Sequence, residues 1–244
     1  YLGEDPEAPN YDPELRMIRS PHNGSGGPIE AWGADGSYGY SESMAVYGLP
    51  YADVPGVRSY DDLRDPANAR RMGQAMHERM SWGDVPANLC VTSLVANAYL
   101  ATGELKYSRW VEEYVGAWAE RARANNGLLP DNVGATGQVG ETLGGRWYGG
   151  LYGWTWPHGF YNVGMAACVA ASNAHLLTGR EECWELARAQ IDAVMARGEE
   201  RNAATEPMSL RHHWVGVWRA AEQTERMWLV PYRYGDAGWF DYQP

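Results

Sequence analysis

The sequence predicts a mainly all-α fold: an α/α-hairpin array or partial α/α toroid with an irregular N-terminal segment and long loops. Three observations carry that reading. The motif Asn97-Ala98-Tyr99-Leu100-Ala101-Thr102-Gly103-Glu104 returns seventy-six residues later as Asn173-Ala174-His175-Leu176-Leu177-Thr178-Gly179-Arg180. In each copy an apolar helix runs into a Thr-Gly turn and a second helix leaves it, and Gly suits the left-handed residue that ends a helix. The two helices of a copy also differ in kind, one apolar almost all round and one striped, as inner and outer helical layers should be.

Taken in order, residues 1–60 are rich in helix breakers: Asp5-Pro6, Asp12-Pro13, Ser20-Pro21, the run Asn23-Gly24-Ser25-Gly26-Gly27-Pro28, and Gly48-Leu49-Pro50. Each favours turns or extended backbone. The segment carries too many Tyr and Trp residues for a free tail, so it reads as ordered loops with at most a short strand or helix. At Asp65-Pro66 the character changes, because Asp is a good N-cap and Pro suits the first helical position. A helix is expected over Asp65–Met80. The first hairpin follows within Leu94–Arg121, its outer helix striped by Trp110, Val111, Tyr114, Val115, Trp118 and Ala119, with Glu112, Glu113, Glu120 and Arg121 opposite. Val163–Leu177 is apolar nearly all round and is expected to be enclosed. His175 within it reads as a satisfied core histidine. The helix after Gly179 carries Trp184, Ala187, Ile191, Val194 and Met195 on one face. The hairpin region spans 61–244, and the whole of 1–244 reads as one domain.

Composition narrows the function. A net charge of −11 argues against binding nucleic acid, which needs a basic surface to neutralise phosphates. The longest uncharged apolar run, Val163–Ala174, is short of the ~20 residues that cross a bilayer, and no signal peptide is visible. Three cysteines, Cys90, Cys168 and Cys183, are too few and too scattered for a disulfide scaffold or zinc site. Neither a metal nor a cofactor is expected. Walker, dinucleotide-binding, His-Glu-x-x-His and Gly-x-Ser-x-Gly motifs are absent. The unusual feature is 12 Trp and 16 Tyr against 2 Phe, with 29 Gly.

The connection from Ala124 to Gly159 is far longer than helix packing requires, and it combines aromatics, an Arg, a His and carboxamides with glycines. It reads Asn125-Asn126-Gly127-Leu128-Leu129-Pro130-Asp131-Asn132, then Gly144-Gly145-Arg146-Trp147-Tyr148-Gly149-Gly150-Leu151-Tyr152-Gly153-Trp154-Thr155-Trp156-Pro157-His158-Gly159. Trp147, Tyr148, Tyr152, Trp154 and Trp156 offer flat faces that suit the C–H faces of sugar rings, and Asn, Asp, Arg and Tyr can bond the hydroxyls. The competing reading is that these aromatics plug the end of the helix array and bind nothing.

Hairpins with Thr-Gly turns, an Asn-Gly-Leu-Leu-Pro-Asp-Asn stretch and a Trp/Tyr/Gly-rich loop ending Trp156-Pro157-His158-Gly159 resemble the α/α-toroid polysaccharide lyases and glycoside hydrolases. The resemblance covers about Asp61–Arg197 and is architectural. This chain has fewer helices than such a ring usually carries, so it is a fragment, an open array, or a toroid assembled from copies as a homo-oligomer. The lyases imply β-elimination beside a uronate carboxylate, which needs a neutralising group, a base for the C5 proton and an acid for the leaving oxygen. Asn132 (or Asn126) and Arg146 are the neutralising candidates, His158 the base, and Tyr152 or Tyr161 the acid. Arg211 with His212-His213 forms a second cluster that could fold over the same mouth, and Arg219 and Arg233 could add positive charge there. The hydrolases imply two flanking carboxylates instead, for which Asp131, Glu141 and Asp84 are candidates by location. An acidic chain repels a polyanionic glycan at long range, which weighs against the lyase, but screening over ~8–10 Å weakens that objection. Two readings stand apart from both: a non-catalytic glycan-binding module using the aromatic loop as a platform, and a helical enzyme enclosing a small terpenoid-like substrate. An extracellular glycan as substrate implies a secreted or periplasmic protein.

Overall fold

The computed structural model describes residues 2–24, 26–28, 36–45, 48–155 and 159–196, together with the backbone of three strands beyond them. Helix predominates. The N-terminal segment forms two minimal hairpins, β1 (Tyr11–Asp12) with β2 (Met17–Ile18) and β3 (Asn23–Gly24) with β4 (Gly27–Pro28), followed by the short helix α1 (Glu42–Ala45). Helix α2 (Pro66–Met80) begins where the Asp-Pro pair predicts, with the Asp65 carboxylate accepting the Ala67 N–H at 2.7 Å.

Two helical hairpins follow. In the first, α3 (Thr92–Thr102) turns into α4 (Leu105–Ala124); in the second, α5 (Gly159–Thr178) turns into α6 (Glu185–Met195). Both turn at the glycine of the repeat, Gly103 at φ 72° and Gly179 at φ 71°, a left-handed backbone that costs a side-chain-bearing residue energy. The repeat in the sequence is thus a repeat in space.

Helix α4 buries the predicted stripe: Trp110, Val111, Tyr114, Val115 and Trp118 are all nearly inaccessible. Three other helices depart from expectation. Helix α5 is not enclosed, because only its Val163, Ala166, Ala167, Ala170, Ala171 and Ala174 face is buried, while Tyr161, Met165 and Leu176 are exposed. On α3, Leu94 and Leu100 are likewise exposed. An all-round apolar helix needs neighbours on every side, and in this chain the hairpins cover one face only. Helix α6 is rotated from the expected stripe, burying Leu186, Ala187, Gln190 and Val194 and exposing Ile191 and Met195. Gln190 is buried for a reason absent from hydrophobic patterning: its amide bonds the Gly127 oxygen at 2.8 Å and accepts the Leu129 N–H at 2.9 Å, fastening the long loop to α6. His175 is half-buried rather than core, with Nδ1 3.0 Å from the Arg180 carbonyl.

The C-terminal part of the hairpin region contains a three-stranded antiparallel sheet. Strands β5 (Glu199–Asn202), β6 (Trp214–Arg219) and β7 (Arg226–Pro231) lie in the order β5-β7-β6. Apolar runs as short as these fit a helix or a strand equally well, and partnering decides between them. No helix among the described residues is long and apolar enough to cross a membrane, and all three cysteines are free thiols.

One buried acid joins the layers. Asp84 is inaccessible, and its carboxylate accepts four hydrogen bonds: from Ile18 N on β2, Val85 N, Asn88 Nδ2, and Tyr114 Oη on α4, all within 2.9–3.0 Å. Its backbone pairs with Val133 in the long loop, N to O at 2.7 and 2.8 Å. The N-terminal hairpin, the α2–α3 connection, α4 and the long loop therefore meet at one residue. Replacing Asp84 with Ala strands four donors in a dry interior and is expected to cost about 3 kcal/mol or more. Tyr114→Phe removes a single bond and should cost about 1 kcal/mol. Urea unfolding midpoints of the two variants check this order, and an unchanged midpoint for Asp84→Ala would remove the residue from this role.

Candidate functional site

The long connection folds around Asp131. Three elements of local sequence allow this: Pro130 fixes the preceding backbone, glycines occupy 149, 150 and 153, and Trp154 ends the turn. Asp131 Oδ2 accepts the N–H of Gly149 at 2.7 Å and of Gly150 at 3.3 Å, and Oδ1 accepts the N–H of Trp154 at 2.9 Å. Its own N–H donates to the Trp147 carbonyl at 2.7 Å. Gly153 packs so closely that an added methyl would fall on the carboxyl carbon and both oxygens of Asp131. The side chain thus acts as the spool on which 147–154 is wound. Burial pushes its carboxyl up to about 7, against the three backbone N–H donors that favour the ionised form. Asp84 is raised to about 6 for the same reason, its hydrogen bonds again opposing.

The winding decides which loop side chains can meet a ligand. Trp154 turns inward, is fully buried, and donates its indole N–H to the Leu129 carbonyl at 2.9 Å. A ring so placed has no face for a sugar. Asn132 is buried too, and neither atom of its carboxamide has a hydrogen-bond partner. Facing outward are Arg146, with its side chain 43% exposed, and Tyr152, 43% exposed; Trp147 and Tyr148 are half-buried. Trp147 meets Tyr148 edge to face, with centroids 5.4 Å apart, and the Arg146 guanidinium lies 5.8 Å over the Tyr148 ring. Arg146 Nε donates to the Leu143 carbonyl at 3.0 Å, which fixes the direction of the guanidinium. Tyr152 holds φ at 53°, an unusual conformation for a bulky residue. Tyr161 is exposed on the first turn of α5.

Other candidates have local duties. Asn126, exposed at φ 56°, follows the end of α4. Glu141 is exposed and accepts from the Thr136 N–H and hydroxyl at 3.0 and 2.8 Å, closing its own turn. Asp84 is the interior junction already described. Asp84 and Asp131 are both sealed from solvent, so the described residues contain no pair of accessible carboxylates drawn from the three acids named. Trp156, His158, Arg211, His212, His213 and Arg233 lie outside the described residues, and Arg219 is placed on β6. Among the described residues no cluster of three or more His, Cys, Asp or Glu side chains could hold a metal ion.

Three residues that sequence reasoning passed over stand beside Arg146. Asp53 Oδ2 lies 3.4 Å from Arg146, and its Oδ1 lies 2.7 Å from Arg79 of α2. The Arg79 guanidinium stacks 4.6 Å over the ring of Tyr51. No local motif marks them: Asp53 and Arg146 are ninety-three residues apart, and only folding brings them together.

A family model described as Domain of unknown function (DUF8034) matches residues 1–244, and the chain belongs to that family. Neither the curated proteins nor the solved structures contain a match to it.

The two raised acids set a pH dependence. An unfolded Asp titrates near ~3.9, so between about pH 4 and 7 the native protein retains protons that the unfolded chain has lost. Stability from these groups is therefore complete below about pH 4 and declines as pH rises through about 6 and 7. Urea midpoints measured from pH 4.5 to 8 should fall and then level off. Asp131→Asn should flatten the upper part of that fall, and a midpoint that rises across the window would contradict the assignment.

Proposed function

We propose that this member of the DUF8034 family is a carbohydrate-active enzyme on an α/α-hairpin scaffold of toroid type, which binds a uronate-containing glycan across the outer face of residues 144–155 and cleaves it by β-elimination. The observation that carries the reading is the display of Tyr152. An aromatic residue sits 43% exposed at φ 53° on a loop wound tightly around Asp131, the same loop that carries exposed Arg146 and half-buried Trp147 and Tyr148. Strained backbone of this kind costs about 1–3 kcal/mol and persists where the surroundings impose it, commonly at functional sites.

In the proposed reaction Arg146 neutralises the uronate carboxylate, making the C5 proton more acidic. His158, which follows the loop in sequence, removes that proton. The electron pair forms the C4–C5 double bond as the C4–O bond breaks, and the phenol of Tyr152 or Tyr161 protonates the departing oxygen. The local positive charge of Arg146 and its neighbour Arg79 answers the objection raised by the acidic chain, since steering over the last ~8 Å is set by nearby charges. A glycan substrate of this kind fits a secreted or periplasmic protein.

The paired-carboxylate mechanism has less support, because Asp84 and Asp131 are buried and Glu141 is committed to its turn. A non-catalytic glycan-binding module is favoured by a specific observation: Asp131, Asn132 and Trp154 are all buried, leaving an aromatic and arginine surface.

The test is incubation with glucuronan, alginate and pectate, following ultraviolet absorbance from the new double bond. Absorbance is expected to rise with at least one polymer, and Tyr152→Phe or His158→Ala should slow it by about a hundredfold or more. Binding without any absorbance gain would move the reading to the non-catalytic module. New reducing ends from a neutral glycan would move it to a hydrolase.

A further inference from the structure

Arg79 and Arg146 approach one carboxylate from two parts of the chain. Arg79 Nη1 lies 2.7 Å from Asp53 Oδ1, and Arg146 Nη2 lies 3.4 Å from Asp53 Oδ2. Each guanidinium is oriented by a tyrosine ring beneath it, Tyr51 under Arg79 at 4.6 Å and Tyr148 under Arg146 at 5.8 Å. The Leu143 carbonyl holds Arg146 from its third side. Two cations share a single anion, so the cluster carries a net charge of +1 in a chain whose total is −11. The Asp53 side chain is 47% exposed, and water competes well for an ion pair at that exposure.

A second observation points the same way. The hydroxyl of Tyr51 is buried and has no hydrogen-bond partner, although it lies within electrostatic reach of Arg79, Asp53, Asp131 and Arg146. A buried hydroxyl left unmet under the Arg79 guanidinium's ring contact calls for a partner that the chain does not supply.

We propose that Arg79 and Arg146 form an oxyanion-binding site, occupied in the free protein by Asp53 as an internal counterion and taken in the bound state by the carboxylate or sulfate of an acidic sugar. The planar fork of each guanidinium matches a two-oxygen acceptor, and a ligand oxyanion would meet both forks, with the buried Tyr51 ring supporting Arg79 from below. Asp53 then sets selectivity by competition: it keeps the two arginines against uncharged or badly placed ligands and yields to an oxyanion that makes more hydrogen bonds than it does. The inference deepens the uronate reading above by adding Arg79, Tyr51 and Asp53 to the surface that recognises the sugar.

Isothermal titration with a glucuronate trimer, glucose 6-sulfate and a neutral glucose trimer tests the site directly. The expected result is binding of one or both acidic probes, with none of the neutral sugar, weakening as salt is raised. A stronger response to glucuronate assigns the site to carboxylates, and one to the sulfate ester assigns it to sulfated sugars. Asp53→Asn removes the resident counterion and should tighten the preferred probe by about five- to tenfold, a gain that misfolding cannot imitate. Arg79→Gln and Arg146→Gln should each weaken it by about tenfold or more, with Arg79→Lys in between, in variants whose thermal midpoints match the parent.

Unchanged or weaker binding in Asp53→Asn, or full affinity in Arg79→Gln, would overturn the site. The two readings fail separately. Titration as expected with no ultraviolet product from any uronate polymer ends the elimination and leaves the site standing, whereas product without acidic-sugar binding at Arg79 ends the site alone.

Discussion

A carboxylate taken out of water must be given donors, and this constraint organises the described structure. Asp84 and Asp131 are both inaccessible, and among the described residues no lysine or arginine bonds either carboxylate. Between them they recruit backbone N–H groups from five residues, an asparagine amide and a tyrosine hydroxyl. Because those donors belong to distant parts of the chain, satisfying the acids fixes the long-range contacts. Asp84 brings the N-terminal hairpin onto α4, and Asp131 turns a glycine-rich segment into a defined loop. The loop's shape is thus imposed from inside, by the need to solvate a charge, more than by propensity.

That inward demand has an outward effect. Winding 147–154 around Asp131 draws Trp154 into the core and leaves Tyr152 displayed with a left-handed backbone. Arg146, one turn earlier, is aimed by a carbonyl and a ring toward Asp53 and Arg79. The exposed side of the loop is therefore held by the same hydrogen bonds that fix its buried side. Buried acids provide the frame, and aromatic and cationic groups provide the surface.

The helices tell a parallel story of incomplete cover. Met165 and Leu176 on α5 and Leu94 on α3 are each about 60% exposed, on helices whose opposite faces are packed with small residues. An array of hairpins buries such faces only when it continues or curves back on itself. Two hairpins account for one side of α3 and of α5, and the described residues leave the other side open.

Much of the scaffold was legible in the residues alone. Asp65-Pro66 marks the start of α2, the repeated Thr-Gly marks both hairpin turns, and the 3.6-residue stripe of α4 names its buried face, because capping, left-handed glycine and amphipathic period are local properties. Sequence also located the loop in which Asp131, Arg146 and Tyr152 lie. It could not tell which of those side chains would turn inward. Trp154 and Tyr152 are two residues apart and chemically alike, yet one is buried and the other displayed, since that choice depends on three backbone N–H groups reaching one carboxylate. Nor could it find Asp53 and Arg79, whose meeting with Arg146 is made by packing across ninety-three residues. Local chemistry wrote the helices and turns, while the satisfaction of buried charge, a property of the whole fold, decided the surface.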